Sequence, residues 1–217
     1  MARVRQGRGA EARTAAAVAA YCRKAQARDL VGGSGGNMSA RVPGTDRMLI
    51  TPTGMALEEV TPARLVVVDI PSGRVLRVGR GLAPSEERAT HLAVYRTRGA
   101  AGAVLHTHSP FATAYACAEP ALPLVTITAE EMLHEVPLLE YAFPGSDALA
   151  TIVARGIAKF PDRWAFLMCR HGVLAVGRDS RAAYLWADLL ESTAKTSFLH
   201  ALLARQGPVG PPGNLPV

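Results

Sequence analysis

The sequence predicts a single α/β domain in which helices pack in layers against a β-sheet. Its 217 residues suffice for one domain with a substantial core. Short apolar, β-branched runs alternate irregularly with helix-favouring segments, which is typical of a layered α/β protein. No internal repeat or linker divides the chain, so one domain is expected over residues 10–206, between a flexible basic arm (1–9) and a proline- and glycine-rich tail (207–217).

The first half of the chain predicts one helix and several strands. The alanine-rich segment Glu11–Arg28 favours a helix, because alanine has the highest helix propensity, and the glycine-rich run 32–36 interrupts regular structure. Apolar and β-branched residues then predict strands at Asn37–Val42, Arg47–Thr51 and Arg64–Ile70. Pro71-Ser72-Gly73 indicates a turn between paired strands.

The second half predicts alternating helices and strands. Ser85 is the expected N-cap of a helix that runs to about Arg98, with acidic side chains in its first turn. A buried strand, Ala101–Thr107, precedes a helix that Pro110 opens and Ala118 ends. By the same criteria, strands are expected at Leu122–Thr128, Trp164–Cys169 and Val173–Val176, and helices at Ser146–Phe160 and Asp179–Ala204.

Composition excludes several classes of protein. The net charge is +6, from 24 Lys and Arg against 18 Asp and Glu, but only 6% of residues are aromatic and the arginines are scattered. Nucleic acid is therefore not an expected partner, since such surfaces combine basic stripes with aromatics. Neither a membrane span nor a secretion signal is expected, because the apolar runs are too short. Three cysteines without a CxxC pattern indicate reduced thiols in a cytoplasmic protein.

Three histidines form a candidate metal site. His106 and His108 lie two residues apart at the end of an apolar run, so a strand would place both side chains on one face. His171 ends a second apolar run and precedes Gly172, which would let the backbone pack closely. Neutral imidazoles are good zinc ligands, and three of them leave an open coordination position.

Helix and loop residues add to this set. Glu87 is the carboxylate expected to face the metal, and His91 lies one helical turn further on the same face. His91 is either a fourth ligand or a core histidine, whereas His134 and His200 are expected on the surface or in loops. The glycine-rich run that ends at Asn37 could cradle an anion, although a flexible turn is the commoner meaning of such a run.

Several segments together resemble the class II aldolase/adducin family. They occur in the order and spacing of that family and span about residues 12–205: Gly35–Arg41, Leu49–Gly54, Pro84–Glu87 continuing through His91–Tyr95, Ala103–Pro110 and Arg170–Leu174. The resemblance implies a central, mostly antiparallel β-sheet flanked by helices. It also implies a homotetramer with active sites at subunit interfaces.

The resemblance further implies a zinc-dependent lyase that acts on a small, anionic hydroxycarbonyl substrate. The expected reaction is retro-aldol cleavage of a ketose 1-phosphate or similar hydroxyketone, through an enediolate that zinc stabilises. His106, His108 and His171 would be the ligands, and Glu87 the acid/base and a conditional fourth ligand. Three-imidazole sites discriminate weakly among zinc, manganese, iron and cobalt. The implied anion-binding pocket consists of Ser34, Gly35, Asn37, Thr53, Gly54 and Ser85.

The chain departs from the aldolase pattern at two places. Glu86 replaces a second serine of the anion pocket, and the segment that follows Leu122–Val125 lacks a tyrosine that donates a proton in the aldolases. Tyr141 is the candidate replacement. These departures keep decarboxylation of a hydroxy-keto or hydroxyaromatic acid, and dehydration, as alternatives. A non-enzymatic, adducin-like scaffold is disfavoured, because three histidines and Glu87 are retained.

Overall fold

The structure is a computed structural model that describes residues 2–118 and 121–205. Its centre is an eight-stranded sheet in the order β4-β3-β2-β1-β5-β8-β7-β6. All neighbouring strands are antiparallel except β6 and β7, which confirms the mostly antiparallel sheet. The strands are β1 (Asn37–Arg41), β2 (Arg47–Ile50), β3 (Val66–Asp69), β4 (Val75–Arg77), β5 (Ala103–Thr107), β6 (Leu138–Leu139), β7 (Ala165–Met168) and β8 (Gly172–Gly177).

Helices cover both faces of this sheet. They are α1 (Ala2–Ala27), α2 (Arg88–Thr97), α3 (Pro110–Ala118), α4 (Ile127–Leu133), α5 (Asp147–Lys159) and α6 (Ser180–Arg205), with short 3₁₀ helices at Leu57–Glu59 and Pro62–Arg64. Side chains from α1, α3, α4 and α6 share one apolar cluster with the sheet. Those of α2 and α5 share a second cluster with the sheet.

Successive residues of a strand point to opposite faces of the sheet, so they contribute alternately to the two clusters. In β5, Leu105 contributes to the cluster of α1 and α6, whereas Val104 contributes to that of α2 and α5. Every residue of β5 is buried, because both faces of this central strand are covered. His106 therefore emerges at the end of the strand, on the same side as Val104 and helix α2.

Register sets the neighbours of His106. Asn37 at the start of β1 pairs with His106 in β5, and His106 pairs with Leu174 in β8 on the other side. The end of the sheet thus brings together residues that are far apart in the sequence.

One predicted strand is wrong. Leu122–Thr128 contains no strand, and its last two residues begin helix α4. The Thr126 hydroxyl accepts a hydrogen bond from the Ala129 amide at 3.2 Å and caps this helix. The apolar, β-branched residues favoured a strand, but the following Ala-Glu-Glu-Met-Leu sequence favours a helix and buries Ala129 and Leu133.

Two helix boundaries and one short strand also differ from expectation. Helix α1 begins at Ala2, so the backbone of the expected basic arm is helical. Helix α2 begins at Arg88, and the Ser85 hydroxyl accepts a hydrogen bond from the Glu87 amide before the helix starts. Strand β6 was not predicted, since it has only two residues and exists through its pairing with β7. The expected tail, residues 207–217, lies outside the described residues.

Within the described ranges, no helix combines the length and the apolar character that crossing a membrane requires.

Candidate metal centre

Two segments of the chain bring three histidines together. His106 lies in β5, His108 follows this strand, and His171 lies in the tight turn between β7 and β8. One ring nitrogen from each lies within 4.8 Å of the others, and the ring centroids are 4.6 to 5.3 Å apart. The predicted triad therefore converges on one point.

Hydrogen bonding aims the His106 ring at that point. Its Nδ1 lies 2.8 Å from the Val173 carbonyl, which can only accept, so Nδ1 carries the proton and Nε2 presents a lone pair. Nε2 faces His108 Nε2 at 2.9 Å. Burial lowers the pKa of His106 to about 4, so the ring is neutral at neutral pH.

The β7–β8 turn holds His171 in place through its neighbours. Arg170 adopts a φ of 55°, which tightens the turn before the histidine. A Cβ on Gly172 would lie 2.3 Å from the Thr107 carbonyl oxygen, so only glycine lets β8 approach β5 here. Gly172 thus lets the backbone of β8 pack closely against β5 beside His171.

Glu87 completes the cluster from the start of helix α2. Its Oε2 lies 3.2 Å from His106 Nε2, and its Oε1 lies 3.1 Å from His171 Nε2. Burial alone would raise the pKa of Glu87, but His106, His171 and the Asn37 amide lower it well below its usual range. The carboxylate is thus ionised although only 7% of the residue is exposed.

His91 belongs to the core and not to the cluster. Its Nδ1 lies 2.7 Å from the Ser39 hydroxyl, and its Nε2 lies 2.5 Å from Asn37 Oδ1. Both ring nitrogens therefore have partners, and the ring is fully buried. Burial lowers its pKa to about 3, which keeps it neutral. Of the two roles left open for His91, the structure supports the core histidine.

All six expected anion-binding residues line one cavity with this cluster. The cavity has a volume of about 250 Å³ and is open to solvent. Its lining also includes Gly36, Pro52, Glu86 and Pro144 beside Ser34, Gly35, Asn37, Thr53, Gly54, Ser85, Glu87 and the three histidines. A larger cavity of about 560 Å³ beside α2 and α5 contains none of these histidines, so chemistry and not volume identifies the site.

The donor set fits a divalent ion. A tetrahedral ion with bonds of about 2.0–2.1 Å separates its ligand atoms by about 3.3 Å. His106 Nε2 already lies 2.9 Å from His108 Nε2 and 3.2 Å from Glu87 Oε2, and the three histidine nitrogens lie within 4.8 Å of one another. Glu87 Oε1 is buried but accepts no hydrogen bond in the described part of the chain. A cation among these atoms would satisfy it and offset the negative charge.

Several other residues stand apart from the cavity. Tyr141 is 53% exposed and its ring packs against the Arg170 guanidinium, so it does not line the site. Glu130 and Glu131 are exposed on α4, and His134 and His200 are exposed as expected. Pro144 was missed, because only the tertiary fold brings its loop to the cavity. Ser39 and Tyr95 were missed for the same reason, since they meet His91 from elsewhere in the fold.

Known proteins share this architecture and sequence pattern. Residues 16–198 match the family model described as the Class II Aldolase and Adducin N-terminal domain. An L-fuculose phosphate aldolase of Methanococcus maripaludis is 32% identical over 178 residues, which cover 82% of this chain and 92% of that protein. A 3-oxo-tetronate 4-phosphate decarboxylase of Escherichia coli is 35% identical over 176 residues, which cover 77% of each.

Solved structures agree with these sequence matches. The crystal structure of L-fuculose-1-phosphate aldolase from Thermus thermophilus superposes with a TM-score of 0.77 at 28% identity, covering 91% of this chain and 99% of that one. The chain belongs to the class II aldolase and adducin family. The resemblance found in the sequence is confirmed, and its relatives named here are lyases of the class II aldolase type.

Proposed function

We propose that this protein is a zinc-dependent lyase that cleaves a hydroxyketone, most simply a ketose 1-phosphate, by a retro-aldol reaction. The observation that carries the proposal is the convergence of three imidazoles and one ionised carboxylate in an open cavity. Relatives named as sugar-phosphate aldolases support it. His106, His108 and His171 would hold the ion, which would act as a Lewis acid toward the substrate's oxygen atoms.

Glu87 is the proposed acid/base. Its carboxylate would take the proton from the substrate hydroxyl, the carbon–carbon bond would break, and its electrons would form an enediolate on the ketone fragment. The same carboxyl group would then return the proton to the enediolate carbon. Asn37 holds Oε2 at 3.1 Å, which leaves the rest of the carboxylate to face the cavity.

Decarboxylation of a 3-oxo acid is the second candidate. It forms a comparable enediolate when carbon dioxide leaves, but it needs no base to remove a hydroxyl proton. No tyrosine lines the cavity within the described residues, so a reaction with one proton transfer fewer suits this set of groups. A relative named as a 3-oxo-tetronate 4-phosphate decarboxylase also supports this candidate.

The two candidates are separated by their products. Zinc-loaded protein should be incubated with ketose 1-phosphates and, separately, with 3-oxo acids, while dihydroxyacetone phosphate and carbon dioxide are measured. Release of dihydroxyacetone phosphate supports the aldolase. Glu87→Gln should lower the rate by at least about 10²-fold, as expected for loss of an acid/base group. Full activity in this variant would refute the role of Glu87.

Glu86 offers a way to define the anionic end of the substrate. It is exposed and lines the same cavity as Ser34 and Thr53. A carboxylate there repels a phosphate dianion, so Glu86→Ser should lower the KM for phosphorylated substrates by about three- to tenfold, a modest factor because solvent screens the charge. Glu86→Gln is the matched control for charge at constant size. An unchanged KM in both variants would show that Glu86 faces away from the phosphate.

We also propose a homotetramer with active sites between subunits. Exposed apolar side chains support the existence of an interface: Ile127 and Met132 on α4, and Phe198, Leu199, Leu202 and Leu203 on α6. Light scattering of the purified protein should give the mass of four chains. A monomer at micromolar concentration would contradict the proposal.

A further inference from the structure

A buried series of hydrogen bonds leads from Tyr95, near the C-terminal end of helix α2, to the Glu87 carboxylate. The Tyr95 hydroxyl lies 2.8 Å from Ser39 Oγ, and Ser39 Oγ lies 2.7 Å from His91 Nδ1. His91 Nε2 meets Asn37 Oδ1 at 2.5 Å, and Asn37 Nδ2 donates to Glu87 Oε2 at 3.1 Å. We infer that His91 is a positioning residue that fixes the Asn37 amide and, through it, the Glu87 carboxylate; this rests on the proposed role of Glu87.

The carboxylate determines the direction of every bond in this series. An ionised oxygen only accepts, so the Asn37 amide must present its NH₂ group to Glu87 and its carbonyl to His91. His91 must then carry its proton on Nε2, and its bare Nδ1 must accept from the Ser39 hydroxyl. Ser39, having donated, accepts from Tyr95. One tautomer and one amide orientation satisfy the whole series.

Because these groups are buried, any change in the arrangement costs free energy. Ser39 and His91 are fully buried, and Tyr95 is 2% exposed. Reversing the Asn37 amide would set its carbonyl against the Glu87 carboxylate and its NH₂ against the His91 N–H. Each mismatch would leave a buried polar group without a partner, which costs about 1–3 kcal/mol. The His91 ring therefore resists rotation of the amide that holds Glu87.

The position of Asn37 links this series to the metal-binding histidines. Asn37 pairs with His106 across strands β1 and β5, so it lies at the end of the sheet where Glu87 meets His106. Glu87 Oε2 is held by Asn37, whereas Oε1 accepts no hydrogen bond in the described residues and remains available to an ion or a substrate proton. The series therefore reserves Oε2 for the hydrogen bond from Asn37 and leaves Oε1 for an ion or a substrate proton.

Two substitutions of His91 separate positioning from mere core filling. His91→Gln places an amide N–H where Nε2 was and should still donate to Asn37. His91→Asn is shorter, reaches only Ser39 and leaves Asn37 Oδ1 without a donor. With zinc content equal, we expect His91→Asn to lower kcat by about 10- to 100-fold with little change in KM, and His91→Gln to stay within about fivefold of the wild type.

Thr90→Val is the matched control on the same helix. Thr90 is 1% exposed and its hydroxyl has no hydrogen-bond partner among the described residues, so its loss should leave kcat within about twofold. Thermal unfolding of all variants should be measured, so that a loss of kcat can be compared with a loss of stability. Equal kcat in the Asn and Gln variants would overturn the inference.

Two measurements test His91 independently of the reaction. The ¹⁵N shifts of the His91 ring in zinc-loaded protein should report the neutral Nε2–H tautomer. Ser39→Ala should keep this tautomer, because the Asn37 carbonyl still accepts from Nε2, whereas Asn37→Ala should allow a mixture of tautomers. Crystal structures should show the contact between Asn37 and Glu87 kept in His91→Gln and lost in His91→Asn. If Glu87 keeps its place in His91→Asn, the inference is wrong; if Glu87 moves but no lyase activity is found in the wild type, only the proposed function fails.

Discussion

The three cluster histidines and His91 lie on the same side of the sheet but differ in the partners of their ring nitrogens. The rings of His106, His108 and His171 turn nitrogen atoms toward one another and toward Glu87. The His91 ring has a protein partner at both nitrogens, Ser39 and Asn37. All four residues lie near the same carboxylate, yet only the first three are arranged as ligands.

A comparison of His106 with His91 shows what distinguishes a candidate ligand from a structural histidine. Burial does not, since His91 and His106 are both less than 2% exposed. His106 has one nitrogen held by the Val173 carbonyl and the other directed at the cluster. His91 has no nitrogen left to coordinate an ion. His106 is thus arranged as a candidate ligand, because the fold satisfies one of its ring nitrogens and leaves the other one bare.

Removal of a cluster histidine should have the largest effect. His106→Ala should reduce bound zinc from about one ion per chain to less than about 0.1 and lower the lyase rate by at least about 10³-fold, since a Lewis acid contributes several kcal/mol to the transition state. His91→Gln should keep its zinc. Elemental analysis of both purified variants measures this directly. Zinc retained in His106→Ala, or lost in His91→Gln, would erase the distinction between the two groups.

Crowding the backbone beside the cluster should have an intermediate effect. Gly172→Ala places a methyl group 2.3 Å from the Thr107 carbonyl oxygen and 3.0 Å from His108 Cδ2, so β8 must move away from β5. We expect a loss of about 1–3 kcal/mol of unfolding free energy and a zinc affinity at least about tenfold weaker. The ¹⁵N shifts of His91 should not change, because its partners lie on β1.

Gly99→Ala is the control for that experiment. A Cβ at Gly99 meets no atom within 4 Å, so its stability should stay within about 0.5 kcal/mol of the wild type. If Gly172→Ala bound zinc as tightly as Gly99→Ala, the close approach of the two strands would not be what brings His171 to the cluster.

The sequence predicted the cluster better than it predicted the role of His91. The two-residue spacing of His106 and His108 is a local property of a strand, and His171 with Gly172 is a local property of a turn. His91 was ambiguous because its partners lie 52 and 54 residues away, on β1. Only the packing of α2 on the sheet determines whether its nitrogens are occupied.

The errors in the fold have the same origin. The strand wrongly predicted at Leu122–Thr128 rested on β-branched residues, but burial of Ala129 and Leu133 against the core and the Thr126 cap make its end helical. Strand β6 consists of two residues that pair with β7, a contact without any local signal. Long elements with repeated patterns, such as α6, were predicted closely because their own sequence determines them.

The pH dependence of stability provides the smallest and most specific test of the comparison. Burial lowers the pKa of His91 to about 3, below its ordinary value of 6.5. Between these values the unfolded chain binds a proton at this position and the native protein does not, so acid favours unfolding. The unfolding free energy of the metal-free protein should therefore fall by about 1.4 kcal/mol per pH unit below pH 6.5 on account of His91 alone.

His91→Gln isolates this contribution. His106, whose pKa burial lowers to about 4, adds a fall of the same sign in both proteins, so only the difference between them reports on His91. Urea unfolding with a chelator present, at intervals from pH 7.5 to pH 5, should give curves that are parallel above pH 7 and converge as the pH falls. Parallel curves down to pH 5 would mean that His91 takes up its proton in the native protein. Its Nδ1 would then not be the bare acceptor that the buried hydrogen bonds require, and the contrast between His91 and the three cluster histidines would not hold.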